Sequence, residues 1–232
     1  MSDPNATVAE REDLHRDLAI LRIAPDTPRA FMPGQHLQVG IFGSDGSRVS
    51  HYYSLASAPA SPLLEVFVAL ADEEHRASCP AAGTRVFVGD RANGDLDLLR
   101  TPPKSLVVML ATGTGISPFM SMLRANIAGD RRIVLIHAVR DERDLGYKKE
   151  LEARRSDRFV YEPIVSRDPG WRGRKGRVQQ ALDDFPSIAG APLTPNGTHV
   201  FVCGNRAMVD EVTASLMTRG FAEQNLHFER YW

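Results

Sequence analysis

Cysteine is scarce in this chain of 232 residues, which contains only Cys79 and Cys203. Two cysteines are too few for a four-thiolate iron–sulfur or zinc site, and they do not make a disulfide framework. The sequence therefore predicts that no metal is held and that any redox chemistry depends on a bound organic cofactor. We expect a reducing compartment, the cytoplasm, as the location of the protein.

A strong net charge and long apolar runs are also missing. The formal net charge is -1 and the isoelectric point is about 6.7, so no positive field over the whole molecule attracts nucleic acid or an anionic membrane. A secretory signal has a basic region followed by an apolar one, and the opening segment MSDPNATVAEREDL has neither. We expect neither nucleic acid nor a membrane as a partner.

Two different patterns divide the chain. Short β-like runs fill the first hundred residues, namely DLAILRIAP, DTPRAFMPGQ, HLQVGIF, RVSHYYSLAS, LLEVFVAL and GTRVFVGD, and their spacing predicts an antiparallel barrel or sandwich. After LLRTPPK, apolar strand candidates alternate with helix candidates, which predicts a doubly wound parallel sheet covered on both faces. We place the domain boundary between residues 101 and 102, giving domains 1–101 and 102–232.

A glycine-rich turn, ATGTGISP, follows the first strand of the second region. Gly113 and Gly115 allow the backbone to approach a pyrophosphate, and the next helix offers unpaired N–H groups and the positive end of its dipole. Ser117 is expected to cap that helix, and Pro118 fits its first turn. The alternative is a tight turn without a ligand, because the string is neither the G-x-G-x-x-G fingerprint nor a Walker A loop.

Guanidinium and hydroxyl side chains follow the later strands, where ligands of open parallel sheets bind. They are Arg140, Ser166, Arg167 and Arg177. Guanidinium groups match phosphate geometry, and no acidic residue is placed to hold free ribose hydroxyls, so the pattern favours NADP(H) over NAD. Each arginine alone is equally well explained as a solvated side chain.

Aromatic and sulfur side chains complete the candidate site. Cys203, before Gly204, is either a small buried side chain in the core or a side chain that borders a nicotinamide ring. The sequence shows no adjacent base that could activate its thiol as a nucleophile. In the extended tail HFERYW, Glu229 and Tyr231 share a face, so the tail docks on a planar ligand or packs on the sheet. Glu229 is a candidate to move a proton or position a ring.

The segment HYYSLAS shows a second aromatic pattern. An extended strand places His51 and Tyr53 on one face, and Tyr52 and Ser54 on the other. One tyrosine can then stack on a flat ring while a hydroxyl reaches a ring nitrogen.

These motifs, taken in order, resemble those of the ferredoxin–NADP reductase family. PGQHLQV is similar to a barrel strand of the family, YSLAS to its R-x-Y-S-x-x-S flavin motif, and GTGISP to its G-T-G-x-x-P loop. VSR with the later GR is similar to its 2′-phosphate site, and VCGNRAM to its C-G-x-x-x-M motif. ERYW resembles the Tyr-Trp ending of bacterial ferredoxin/flavodoxin–NADP reductases. The likeness runs from about Pro33 to Trp232.

The resemblance implies an N-terminal β-barrel that binds FAD and a C-terminal domain that binds NADP. Tyr53 would stack on the isoalloxazine, Ser54 would hydrogen-bond near flavin N5, Tyr231 would cover the opposite face and Trp232 the adenine. The implied FAD-binding residues are His51, Tyr52, Tyr53, Ser54, Ser57, Arg76, Ala77, Ser78, Tyr231 and Trp232. The implied NADP-binding residues are Thr112, Gly113, Thr114, Gly115, Pro118, Arg140, Ser166, Arg167, Arg177, Cys203, Gly204 and Met208. The implied catalytic residues are Ser54, Cys203, Glu229 and Tyr231.

The implied activity is hydride transfer from NADPH to FAD, followed by release of single electrons to a ferredoxin or flavodoxin, by a monomer. Two alternatives stay open at this point: a reductase component of an oxygenase system, and a non-catalytic NADP- or flavin-binding sensor. One departure from the family is His51, which replaces the arginine that neutralises the flavin pyrophosphate. The loop DEEHRASCP is another, because it has several acids and no glycine. Our hypothesis is that Arg76 or Arg48 supplies the missing charge, with help from Ser78.

Overall fold

The computed structural model describes residues 3–15, 17–43, 45–70 and 79–231. The chain divides into two compact units. The first consists of Met1–Asp97 together with Ser117–Ala125, and the second of Leu98–Ile116 together with Asn126–Trp232. Within the described ranges, no helix has both the length and the apolar character needed to cross a membrane.

The described part of the first unit forms a six-stranded antiparallel sheet. Its strands are β1 (Ala6–His15), β2 (Leu18–Pro25), β3 (His36–Phe42), β4 (Arg48–Ser54), β5 (Leu64–Ala69) and β6 (Arg85–Val88), in the order β4-β3-β6-β1-β2-β5. An isolated bridge between Leu55 and Val66 joins the two ends of that order. Beside it, the Ala56 N–H donates to the Glu65 carbonyl at 2.8 Å. The sheet therefore closes as a barrel, and the predicted fold of this region is confirmed.

Alternate side chains of these strands fill the barrel. Leu37 and Val39 of β3 pack with Val86 and Val88 of β6, and all four are buried. Such alternation is what a strand with one face on the core requires. Helix α1 (Ser117–Arg124) also belongs to this unit, and its residues from Ser117 to Leu123 are all buried.

A six-stranded parallel sheet forms the second unit as far as it is described. Its strands are β7 (Leu106–Thr112), β8 (Arg132–Val139), β9 (Phe159–Val165), β10 (Arg174–Lys175), β11 (Thr198–Asn205) and β12 (Leu226–Tyr231), in the order β10-β9-β8-β7-β11-β12. Its helices are α2 (Lys148–Ala153), α3 (Val178–Asp183), α4 (Phe185–Ala189) and α5 (Arg206–Thr218). The order reverses between β7 and β11, and this topological switch point is where open α/β sheets bind ligands.

Both faces of the parallel sheet are covered, as predicted for a doubly wound fold. On one face, Val108, Val134 and Val202 pack with side chains of α3 and α5 such as Leu182 and Val212. On the other, Val139 and Val165 pack with Leu145 and Trp171. Strands buried on two faces read as continuous apolar runs, which is why they are visible in the sequence.

Some local predictions are wrong. The run DTPRAFMPGQ is a loop instead of a strand, and its prolines Pro28 and Pro33 cannot donate to a ladder. Conversely, β1 was not predicted, because its second half presents exposed charged residues that hide the strand pattern. The short elements β10 and α4 were not predicted either.

Candidate functional site

The two glycine motifs of the second unit meet at the switch point between β7 and β11. Ala111 and Cys203 are register partners on these neighbouring strands. A Cβ atom at Gly115 would overlap the Cys203 carbonyl oxygen, and one at Gly204 would overlap the Thr112 hydroxyl. The close approach of the two loops therefore depends on glycine at both positions.

Gly113 differs from Gly115 and Gly204, because the space around the position of its Cβ atom is open. Its φ is +53°, in the left-handed region that favours glycine, and nothing lies within 4 Å of the position of a Cβ atom. A 3-10 turn over Gly113–Ile116 follows, and α1 continues directly from it. An open glycine turn that leads into a helix is suited to a phosphate group, so the residues present fit a dinucleotide.

His137 was missed by the sequence analysis. It lies on β8, is fully buried, and its Nε2 is 2.9 Å from the Gly113 carbonyl oxygen. Burial lowers the pKa of His137 to about 4, against the smaller upward effect of this hydrogen bond. The ring is therefore neutral at pH 7, and because a carbonyl only accepts, Nε2 carries the proton. The sequence signal that could have identified His137 is the occurrence of a histidine within the apolar run RRIVLIHAVR.

The predicted phosphate-binding side chains follow three neighbouring parallel strands. Arg140 comes after β8, Ser166 and Arg167 after β9, and Arg177 two residues after β10. The Ser166 hydroxyl donates to the Val139 carbonyl at 3.2 Å, and the Arg167 N–H to the Arg140 carbonyl at 2.8 Å. The three arginines are exposed and follow strands that end at the same edge of the sheet. Their guanidinium groups are thus available to an anionic ligand.

Cys203, Glu229 and Tyr231 lie together on β11 and β12. Cys203 is the register partner of Glu229, and its thiol is hydrogen-bonded to Tyr231. Burial, aided by the negative charge of Glu229, raises the pKa of the Cys203 thiol well above its usual value, although the Tyr231 bond opposes this. Cys203 is fully buried and stays protonated at neutral pH, so it is a compact wall and not a nucleophile.

Three further predicted residues lie in or next to the glycine motifs in the sequence. Met208 is buried in α5, and its N–H is capped by the Asn205 side chain at 3.0 Å. Pro118 lies in the first turn of α1, as predicted, where its missing N–H costs no hydrogen bond. Thr114 lies within the 3-10 turn.

In the first unit, the alternation predicted for HYYSLAS is present in β4. His51 and Tyr53 face the same side, with ring centroids 6.4 Å apart, while Tyr52 packs edge-on against His36 at 5.4 Å. Burial raises the pKa of Tyr53. Ser54, the last residue of β4, is buried.

Ser57 belongs to the same segment but faces inward. Its hydroxyl accepts the Glu65 N–H at 3.1 Å, and its side chain is buried. The structure therefore places Ser57 as a structural link between the segment after β4 and strand β5.

The structure does not bring Arg48 and His51 together. The two positions differ by an odd number of residues on a regular strand and so face opposite sides of the sheet. The Arg48 guanidinium lies over the Phe87 ring, 3.9 Å from its centroid. Arg76, Ala77, Ser78 and Trp232 lie outside the described residues. Among the residues that are described, no cluster of three potential metal ligands occurs.

Comparisons with known proteins agree with this arrangement. A family model for the oxidoreductase NAD-binding domain matches residues 109–214. The flavodoxin/ferredoxin–NADP reductase of Escherichia coli (strain K12) is 33% identical over 80% of this chain and 78% of its own. Ferredoxin–NADP reductase B of Sorangium cellulosum is 36% identical over 80% of each chain. A crystal structure of a ferredoxin NADP+ reductase from Neisseria gonorrhoeae with bound FAD and NADP matches with a TM-score of 0.89, 25% identity and 98% coverage of both chains.

Proposed function

Because the chain belongs to the ferredoxin–NADP reductase family, we propose that it is an NADPH-dependent FAD oxidoreductase that supplies electrons to a ferredoxin or flavodoxin. The single observation that carries the proposal is the contact between the Gly113–Ile116 turn and the Cys203–Gly204 loop at the switch point of the parallel sheet. The relative from Neisseria gonorrhoeae binds both FAD and NADP, which supports the same pair of cofactors for this chain.

The NADP side of the proposal rests on the second unit. The open side of Gly113 and the N–H groups that follow it receive the pyrophosphate. Arg140, Arg167 and Arg177 bind the 2′-phosphate, with the Ser166 hydroxyl close to them. A neutral His137 holds the Gly113 carbonyl and so fixes the shape of the turn.

The FAD side rests on β4. We assign Tyr53 as the ring that stacks on the isoalloxazine and Ser54 as a hydrogen-bonding group at its edge. The proposed domains are 1–101 for FAD and 102–232 for NADP. FAD held by Tyr53 and Ser54 would supply the conversion between the two-electron chemistry of NADPH and one-electron transfer to a carrier.

Cys203, Glu229 and Tyr231, at the ends of β11 and β12, are proposed to border the nicotinamide and to control its access. Cys203 presents a protonated, uncharged wall to the nicotinamide, and Glu229 beside it supplies a carboxyl group that holds or moves a proton. Tyr231 is proposed to cover the ring face that the nicotinamide needs. It must therefore move before hydride transfer, as a gate on turnover.

The carrier protein, the monomeric state and the location are further parts of the proposal. The two free, buried thiols are compatible with the reducing cytoplasm. A ferredoxin or flavodoxin is the proposed acceptor, and the ferredoxin of an oxygenase system is the acceptor of the competing interpretation. Rates with purified carriers separate the two. Transfer to a flavodoxin, or to a ferredoxin that serves no oxygenase, supports the proposal, whereas transfer confined to the ferredoxin of an oxygenase system supports the competing interpretation.

The absorption spectrum of the purified protein tests the proposal. We expect the yellow spectrum of an oxidised flavin, extraction of FAD on denaturation, and bleaching by NADPH that is much faster than bleaching by NADH. Ferricyanide reduction by NADPH then measures turnover. A colourless protein that binds no added FAD, or one that is not bleached by NADPH, would rule the function out.

A further inference from the structure

Two side chains of α1 hold the segment that follows β4. The Ser121 hydroxyl donates to the Ser57 carbonyl at 2.7 Å, in a buried hydrogen bond. The Arg124 guanidinium donates to the Ala56 carbonyl at 3.0 Å. Ala56 and Ser57 come two and three residues after Ser54, so their carbonyls are held close to the residues assigned to the flavin.

Arg124 makes a second contact, to a buried carboxylate. Its NH1 is 2.6 Å from Glu65 Oε1, and only 6% of Glu65 is exposed. Arg22 contacts the other oxygen of the same carboxylate at 2.9 Å, from the neighbouring strand β2. Arg124 and Arg22 therefore both neutralise Glu65, and Arg124 in addition donates to the Ala56 carbonyl.

The same segment closes the barrel. Leu55 bridges to Val66, and the Ala56 N–H donates to the Glu65 carbonyl. We call Leu55–Ala56–Ser57 the closure segment. The Leu55 and Ala56 N–H groups donate to the Gln35 and Glu65 carbonyls, and the Ala56 and Ser57 carbonyls accept from Arg124 and Ser121 of α1. Four hydrogen bonds to three neighbouring segments restrict the movement of this backbone.

A cavity of about 290 Å³ opens beside these contacts. It is lined by Arg22, Ser57, Ala58, Ser61, Leu63, Glu65 and Arg124. Because the Arg124 side chain borders this space, a small cation can enter the position that a truncated side chain would leave. The cavity provides the means of testing the role of Arg124 by chemical rescue.

We propose that Arg124 and Ser121 are positioning residues for the flavin. They fix the two carbonyls of the closure segment, and through it they set the placement of Tyr53 and Ser54. The inference rests on the proposed function, since it assumes that these two residues contact FAD. A displacement of about 1 Å at such residues is enough to weaken binding and transfer strongly, even when the changed residue does not touch the ligand.

The test is a titration of apoprotein with FAD, followed by flavin fluorescence. We expect Arg124→Ala to raise the dissociation constant of FAD about tenfold, because a charged hydrogen bond to the backbone is lost. Arg22→Ala is the matched control, since it removes the other partner of the Glu65 carboxylate and leaves the closure segment bonded. Its expected effect is below about twofold. Equal weakening by the two variants would show that neutralising Glu65 is the whole role of Arg124, and would overturn the inference.

Rescue separates positioning from general destabilisation. Millimolar guanidinium should restore FAD affinity to Arg124→Ala and leave that of Arg22→Ala unchanged, whereas a lack of rescue contradicts the proposal. If Arg124→Ala does not fold, the FAD titration of Ser121→Ala tests the inference instead. Its affinity for FAD should fall about threefold, because one neutral hydrogen bond is lost. Unchanged affinity in Ser121→Ala then overturns the inference. Wild-type apoprotein that binds no FAD is a different result, because it rejects the proposed function itself.

Discussion

Among single residues, His137 makes a contact whose loss can be measured directly. Its Nε2–H is bonded to the Gly113 carbonyl inside the protein. We expect His137→Leu to raise the dissociation constant of NADP+ about tenfold, because a carbonyl of the proposed binding turn loses its donor. In His137→Gln the side-chain amide can replace Nε2, so most of the affinity should remain. Equal affinities of wild type and His137→Leu, measured by calorimetric titration, would contradict this role.

The same residue predicts an acid-dependent loss of stability. The pKa of His137 is lowered from 6.5 to about 4, so between these values the unfolded chain binds a proton that the folded chain does not. The free energy of unfolding should therefore fall as the pH falls through this window, with a slope approaching about 1.4 kcal/mol per pH unit. His137→Gln should lack this component. Urea unfolding of both proteins at several pH values provides the comparison, and identical slopes would refute the prediction.

Among the elements, the contact between the Gly113–Ile116 turn and strand β11 predicts that replacing a glycine there strongly lowers the free energy of unfolding. Gly115→Ala places a methyl group against the Cys203 carbonyl oxygen. The contact is with a backbone atom, which cannot move aside as the end of a flexible side chain can. We expect a loss of about 3 kcal/mol in the free energy of unfolding. Gly190→Ala is the control, because Gly190 has a φ of +69° but open space around a Cβ atom. Only its strain remains, which costs about 1 kcal/mol. Comparable losses in thermal unfolding would show that the contact is not tight.

The elements also show what the sequence can and cannot predict. The apolar runs of β7 and β8 are readable because both faces are buried, whereas the charged outer face of β1 conceals its pairing with β2. At the site, Gly113 and Arg167 are visible as motifs. The hydrogen bonds of His137 and Arg124 join residues far apart in the chain, and no local pattern indicates which carbonyl each one meets.

For the molecule as a whole, the position of its tryptophans allows the two proposed cofactor-binding regions to be followed separately. Trp171 and Trp232 are the only tryptophans, and both belong to the region assigned to NADP. Trp171 is buried with Val139 and Val165, beside the strands that precede Arg140 and Arg167. Because Trp232 is also expected to lie on the FAD adenine, the measurement uses Trp232→Phe, in which the emission comes from Trp171 and reports the unfolding of this region.

NADP+ should stabilise the transition seen by tryptophan emission. A ligand at one hundred times its dissociation constant adds about 2.7 kcal/mol to the stability of the state that binds it. NAD+ at the same concentration should add much less, because it has no 2′-phosphate for Arg140, Arg167 and Arg177. In Arg167→Ala/Arg177→Ala the advantage of NADP+ over NAD+ should shrink, because the exposed guanidinium groups bind the phosphate without supporting the fold. Equal stabilisation by the two nucleotides without these substitutions would contradict the predicted preference for NADP+. An unchanged advantage of NADP+ in the double variant would place the preference elsewhere in the molecule.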